Sequence, residues 1–181
     1  MTDDFTPPTF PDQFNLADYF LFDRLEEGLG DKSAVLYGDR AYTFAEIADR
    51  TRALARYFRS VGVDQEQRVF TVLPDTPAFA WSFYATLTRG SVVAMANPYK
   101  PADDLEYAVG HGRMSAVVTV PDTAIEIADA LLESPHVETL LLVPDVATGE
   151  DPEQPVDIPE IFEEADFDVR SLTAAIKRGR R

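Results

Sequence analysis

The sequence contains no cysteine, which excludes disulfides, a thiol nucleophile and any cysteine-ligated metal. Its two histidines, His111 and His136, stand far apart and form no metal-binding spacing. Lysine occurs only at Lys32, Lys100 and Lys177. No apolar run approaches the roughly 20 residues needed to span a bilayer. The start, Met1-Thr2-Asp3-Asp4, is acidic and lacks a basic stretch followed by an apolar core. A soluble, cytoplasmic chain without membrane contact is therefore expected. Also missing are a GxxxxGK[ST] loop and any other glycine-rich loop whose amides would cradle a phosphate. The sequence nominates no catalytic, cofactor-binding or metal-ligating residue.

What it has in excess is negative charge. Thirty-two acidic residues against sixteen basic ones give a net charge of −16, which disfavours nucleic acid and anionic membranes as partners. With three lysines, thirteen of the cations are arginines. An acidic, lysine-poor composition matches the bias of a salt-accumulating halophile; a merely acidic mesophilic protein is the other reading. At 181 residues and 45% hydrophobic, the chain is long enough for one sizeable core.

In chain order, residues 1–14 are expected to form an extended arm, rich in proline, threonine and aspartate over Thr2–Pro11. Asn15 offers an N-cap to a helix over Leu16–Glu27, with Leu16, Tyr19, Phe20 and Asp23 at helical spacing and Gly28 to stop it. Ser33–Tyr37 and Arg40–Thr43 flank Gly38-Asp39, a pattern that predicts a hairpin. Thr43-Phe44-Ala45-Glu46 is a capping box that fixes the start of a helix. Ile47, Leu54, Phe58 and Val61 form the apolar stripe of that helix, and Arg50, Arg52, Arg56 and Arg59 lie mostly off it.

From Arg68 the chain alternates. Strand candidates begin near Val69, Val92, Ala116 and Thr139, at steps of 23, 24 and 23 residues with one helical pattern in each interval. That spacing predicts an α/β fold: a parallel sheet of about four strands in βαβ units with right-handed crossovers and flanking helices, preceded by the small antiparallel hairpin. Thr76-Pro77 is read as cap and first turn of a helix carrying Phe79, Phe83 and Leu87, and Asp122 or Thr123 as cap of one carrying Ile125, Ile127 and Leu131. The aromatic residues of Phe79–Tyr84, Trp81 included, are read as packing, and His111 receives no role. Residues 15–144 form the expected α/β unit. Residues 145–181 are expected to be an acidic, proline-bearing linker and a short basic helix or tail, with Ser171–Lys177 helical.

The densest signal runs from Leu87 to Thr119. Leu87-Thr88-Arg89-Gly90 closes a helix on glycine. Ser91–Ala96 is apolar on both faces, as a strand covered on both sides would be. Asn97-Pro98 breaks it, Pro101 opens a helix with Leu105 and Val109 on its stripe, and Ala116–Thr119 is the next strand. Leu-Thr-Arg-Gly-Ser-Val-Val, then Asn-Pro-Tyr-Lys-Pro-Ala-Asp-Asp-Leu-Glu-Tyr, then Ser-Ala-Val-Val-Thr-Val closely resembles the amino-terminal region of adenylate-forming acyl-CoA synthetases, the benzoate-CoA ligase type included. Tyr42-Thr43-Phe44-Ala45-Glu46-Ile47 resembles the family's first motif, and an Asn-Leu or Asn-Ile pair opens the first helix there as Asn15-Leu16 does here. At His111, between two glycines, the chain departs from the acidic-then-small pair more frequent in the family.

The resemblance implies an ATP-dependent acid–CoA ligase that activates a carboxylate as acyl-AMP and passes the acyl group to coenzyme A. In such enzymes the work depends on a Ser/Thr/Gly-rich phosphate loop, acidic residues for magnesium and ribose, a hinge, and a lysine in a small carboxy-terminal domain, none of which this chain matches. It corresponds to about the first third of such an enzyme. ATP, magnesium and coenzyme A are implied for the complete enzyme, with none expected to bind this chain alone. The implied partner is the remainder of the ligase, in cis or in trans, or a second copy. A stand-alone binding or regulatory module derived from the region and a truncated inactive frame are the competing readings.

Overall fold

Hydrogen bonding at Thr43 and Glu46 starts the longest helix in the way their spacing predicts. In the computed structural model, which describes residues 9–145 and 151–181, the Glu46 amide donates to Thr43 Oγ1 at 3.2 Å and the Thr43 amide donates to Glu46 Oε2 at 2.8 Å. The helix, α2, spans Phe44–Ser60 and buries Ile47, Leu54, Tyr57 and Phe58. Before it, β1 (Ser33–Tyr37) and β2 (Arg40–Thr43) pair antiparallel about Gly38, whose φ of 56° suits the tight turn. Part of the arm expected over 1–14, and residues 146–150 of the acidic stretch, lie outside the described residues.

The first helix differs in register from its expectation. Asn15 does cap it, because Oδ1 accepts from the Ala17 amide at 2.8 Å. The chain then winds as a π-turn over Asp18–Phe22 before the short helix α1, Asp23–Glu26. Ala17 and Leu21 face the core, while Leu16 and Phe20 of the expected stripe are exposed. Rings of Phe10, Phe14, Tyr19 and Phe20 lie against one another instead.

All four expected strands of the main sheet form, and all are parallel: β3 (Arg68–Val72), β4 (Val92–Met95), β5 (Met114–Thr119) and β6 (Thr139–Leu142). A fifth strand that the sequence reading did not contain, β7 (Asp168–Ser171), pairs parallel with β6. Among the described residues the order is β4-β3-β5-β6-β7, so the chain steps outward from β3 to β4, crosses back and proceeds the other way. Alternate side chains feed two cores. Val69, Leu73, Ala116, Val118 and Leu141 meet α2, α3 (Pro77–Thr88) and α7 (Leu172–Gly179); Phe70, Val72, Val117, Leu140 and Leu142 meet α4 (Ala102–Gly112), α5 (Pro121–Glu126) and α6 (Ala128–Leu132).

Several local expectations are corrected. The strand expected to be covered on both sides, β4, is the sheet edge, with Val92 47% and Met95 56% exposed. On α3 the buried side is Ala78, Trp81, Ser82 and Ala85, while Phe79, Phe83 and Leu87 are half-buried. That helix is apolar nearly all round, so tertiary packing, not periodicity, selects its inner face. Thr76 precedes α3 without a side-chain cap bond, and neither Asp122 nor Thr123 caps α5, which begins at Pro121 after Val120. Pro101 is the residue before α4, not its first.

The carboxy-terminal stretch packs on the body. Ser171 caps α7 by accepting from the Ala174 amide at 3.2 Å. Leu172, Ala175 and Ile176 are buried in the α2 side of the core. Gly179 lies so close to the Ala53 carbonyl that a Cβ there would overlap it, and the Gly179 oxygen accepts from Arg56 Nε at 2.6 Å. Ion pairs Arg50–Glu153, Arg40–Asp151 and Arg180–Asp49 tie the stretch to α2 and β2, and Arg178–Asp168 joins α7 to β7 within it. Two cations of the terminal basic cluster are thus matched by carboxylates. No helix among the described residues is long and apolar enough to cross a membrane.

Candidate functional site

A proline follows each of the first four strands of the main sheet within a few residues: Pro74 after β3, Pro98 after β4, Pro121 after β5 and Pro144 after β6. Lacking an N–H, proline ends the ladder and turns the chain outward at the carboxyl end of the sheet. The strand order places the reversal of chain direction at β3, and in open parallel sheets the crevice for a ligand lies at the carboxyl ends beside such a reversal. Two adjoining cavities occupy that position. One, of about 210 Å³, is lined by residues that include Pro74, Tyr99, Val120, Asp122, Glu126 and Asp145; the other, of about 370 Å³, adds Leu73, Asp75, Phe79 and Asn97, and shares Pro74, Pro98 and Tyr99. Asn97 Oδ1 accepts from the Tyr99 amide at 2.8 Å, which folds the β4–α4 loop and leaves the Tyr99 ring 86% exposed over the opening.

The chemistry of this crevice follows from its charges. Asp75, Asp122, Glu126 and Asp145 contribute four carboxylates, and neither lining contains a lysine or arginine. Lys100, which follows Tyr99 in the chain, pairs with Asp104 at 3.3 Å. Such a wall repels a triphosphate, and it provides no donor fork for phosphate oxygens. Among the described residues no group of three or more His, Cys, Asp or Glu side chains is placed to hold a metal ion. The residues of this crevice therefore offer no positive charge to the phosphates of ATP. His111 stacks on Tyr107 at 5.1 Å and His136 sits in the α6–β6 turn, neither in the crevice. The aromatic residues Phe79, Phe83 and Tyr84 pack against each other on α3, with Phe79 at the crevice edge.

One displaced proton belongs to the scaffold. Burial pushes the Tyr57 phenol up to about 12. Its hydroxyl meets Thr139 Oγ1 at 2.7 Å and Asp168 Oδ2 at 3.2 Å, and Asp168 also receives Arg170 and Arg178. The group links α2, β6, β7 and α7, and so holds the fold together. Sequence reasoning found neither this network nor the crevice. The prolines were visible signals, but without the strand order nothing assigns them to one end of one sheet.

The comparisons with known proteins agree with this architecture. The model of the AMP-binding enzyme family matches residues 22–171. The chain belongs to that family. It is 28% identical over 132 residues to a 4-hydroxybenzoate–CoA/benzoate–CoA ligase of Rhodopseudomonas palustris, covering 73% of this chain and 24% of that protein. To a 4-coumarate–CoA ligase of Pinus taeda it is 32% identical over 113 residues, covering 61% and 21%. Among solved structures, a benzoate CoA ligase from Burkholderia xenovorans LB400 superposes with a TM-score of 0.65 at 27% identity, over 88% of this chain and 30% of that one. An anthranilate CoA ligase in complex with anthranoyl-AMP gives 0.74 at 18% identity, over 93% and 29%, a likeness of fold. The chain spans a quarter or less of the length of these curated relatives.

Proposed function

We propose that this chain is the amino-terminal part of a cytoplasmic, ATP-dependent acid–CoA ligase, which forms an acyl-AMP from a carboxylate and transfers the acyl group to coenzyme A, and that the chain alone performs neither step. The observation that carries the proposal is the combination of family membership with a crevice walled by Asp75, Asp122, Glu126 and Asp145 and lacking any cation. Adenylation requires positive charge and oriented amides at the transferring phosphate, and those must come from the rest of the ligase. Under this reading ATP, magnesium and coenzyme A are held by the complete enzyme. The half-exposed apolar surfaces have a matching explanation: the β4 edge with Val92 and Met95, and the Phe79–Phe83 side of α3, are where the remainder docks. We also propose that the acidic, lysine-poor surface is adapted to high salt.

The test is complex formation. The chain is co-expressed with a polypeptide comprising the remaining three quarters or so of a benzoate–CoA ligase relative, and the pair is isolated by size exclusion. A one-to-one complex is expected, lost in Phe83→Asp while circular dichroism shows that variant still folded. Failure of the two polypeptides to associate, with both folded, contradicts the reading and favours a self-contained binding module.

A further inference from the structure

At the other end of α3 lies a groove of opposite character. Arg52, Arg56 and Arg59 stand on one stripe of α2, four and three residues apart, and Arg89 follows the last turn of α3; with Ala55 and Thr88 they enclose about 210 Å³. Because α3 begins just after the carboxyl end of β3, its final turn lies at the amino end of the sheet, so this groove is separate from the crevice described above.

Its charge is unusual for this molecule. In a chain with twice as many acidic as basic residues, seven arginines (Arg24, Arg40, Arg50, Arg89, Arg170, Arg178 and Arg180) have a carboxylate within ion-pair distance. Among the described residues six have none: Arg68, Arg113 and Arg181, which do not line the groove, and Arg52, Arg56 and Arg59, which do. Arg89 alone of the four touches a carboxylate, Asp64 at 3.2 Å on the rim. Arg52 lies over the Phe22 ring at 4.6 Å, and Arg56 Nε donates to the Gly179 carbonyl at 2.6 Å. Both contacts orient a guanidinium without neutralising it.

Like charges at these spacings repel along a helix. The negative end of the α2 dipole offsets that for Arg59, but the effect fades within one turn and does not extend to Arg52 and Arg56. The carbonyls at the end of α3 do not supply the missing negative charge, since those of Ala85, Thr86 and Leu87 already accept from the amides of Arg89, Ser91 and Gly90. Four guanidinium groups line the one groove, and the planar guanidinium is the side chain whose donors match the oxygens of a phosphate.

We infer that this groove binds a small, multiply charged oxyanion of the phosphate class, either inorganic or the end group of a phosphate ester. Its charge sets the class: four arginines on one open groove of about 210 Å³ favour an anion that carries several negative charges in a small volume over a single carboxylate. The site does not depend on the proposed ligase reading.

The experiment is a calorimetric titration of the full chain with pyrophosphate, phosphate, glycerol phosphate and acetate, all at one ionic strength set with chloride. Saturable binding is expected, tighter for pyrophosphate than for phosphate and absent for acetate. Glycerol phosphate separates the sources: affinity equal to that of phosphate assigns an ester end group, weaker affinity assigns the free anion, and both support the site. Arg59→Gln and Arg52→Gln should each weaken pyrophosphate binding at least fivefold. Arg113→Gln, which removes one positive charge from an exposed residue outside the groove, should leave it unchanged. Circular dichroism verifies that each variant is folded. Absence of saturable binding, or equal affinity in Arg59→Gln and Arg113→Gln, overturns the inference.

Discussion

Replacing Gly179 with alanine should destabilise the chain, although the same change inside an exposed helix normally stabilises by reducing the freedom of the unfolded state. The reason is local. A methyl group at Gly179 would overlap the Ala53 carbonyl of α2, a backbone atom held by its own helix, so the neighbour cannot turn away. Overpacking of this kind costs about 1–3 kcal/mol. The alternative response is for α7 to leave α2, exposing Leu172 and Ile176, each 1% accessible in the fold. At about 1.5–3 kcal/mol for each buried aliphatic side chain, undocking sets a ceiling of about 3–6 kcal/mol. A cost of about 2 kcal/mol, with a urea dependence of about 2 kcal/mol per molar, lowers the unfolding midpoint by about 1 M. Gly110, within α4, is the control: a Cβ there meets nothing within 4 Å. Gly110→Ala should raise stability by about 0.5–1 kcal/mol. If both substitutions moved the midpoint upward, the close docking of α7 on α2 would be wrong.

Three further outcomes are expected. Thr43→Ala should cost about 1 kcal/mol through the lost cap, the bond from the Glu46 amide to Thr43 Oγ1; the backbone amide that holds the Glu46 carboxyl below its usual range is kept in the variant, so in both proteins that share is present above the ordinary glutamate pKa and lost as pH falls through the lowered value, and most of the gap between their urea midpoints should persist into acid. Tyr57→Phe should cost about 1–3 kcal/mol by stranding the buried Thr139 hydroxyl; since folding raises the Tyr57 pKa to about 12, wild type should lose stability as pH rises from about 10 to 12, and a midpoint series over that range should be flatter in the variant. With a net charge of −16, the unfolding midpoint should rise from low to molar potassium chloride, where screening acts within about 3 Å; a midpoint indifferent to salt would contradict the high-salt adaptation.

The parts of the fold legible in the sequence are those set by local chemistry. The capping box, the Gly38 turn and the 23-residue alternation each state their structure within a few residues. Long-range pairing is what the chain does not state. Val92–Met95 is as apolar as the inner strands, and only the strand order puts it at the edge. Asp168-Val169-Arg170-Ser171 has too much charge to stand out as a strand; it is one because β6 offers a free edge and because Asp168 is neutralised by Arg170 and Arg178. The arginines of α2 were visible as residues off the apolar stripe, but the second wall of their groove comes from Thr88 and Arg89, on another helix. The acidic crevice is likewise assembled from four loops whose neighbourhood exists only after the sheet forms.

The central claim, that this chain supplies scaffold and not adenylation chemistry, is tested most directly by acid-dependent exchange of pyrophosphate into ATP. The purified 181 residues should show none with benzoate or any other acid, and exchange should appear when a polypeptide bearing the phosphate loop and the carboxy-terminal lysine domain is added. Exchange by the chain alone, in preparations free of contaminating ligase, would contradict the claim.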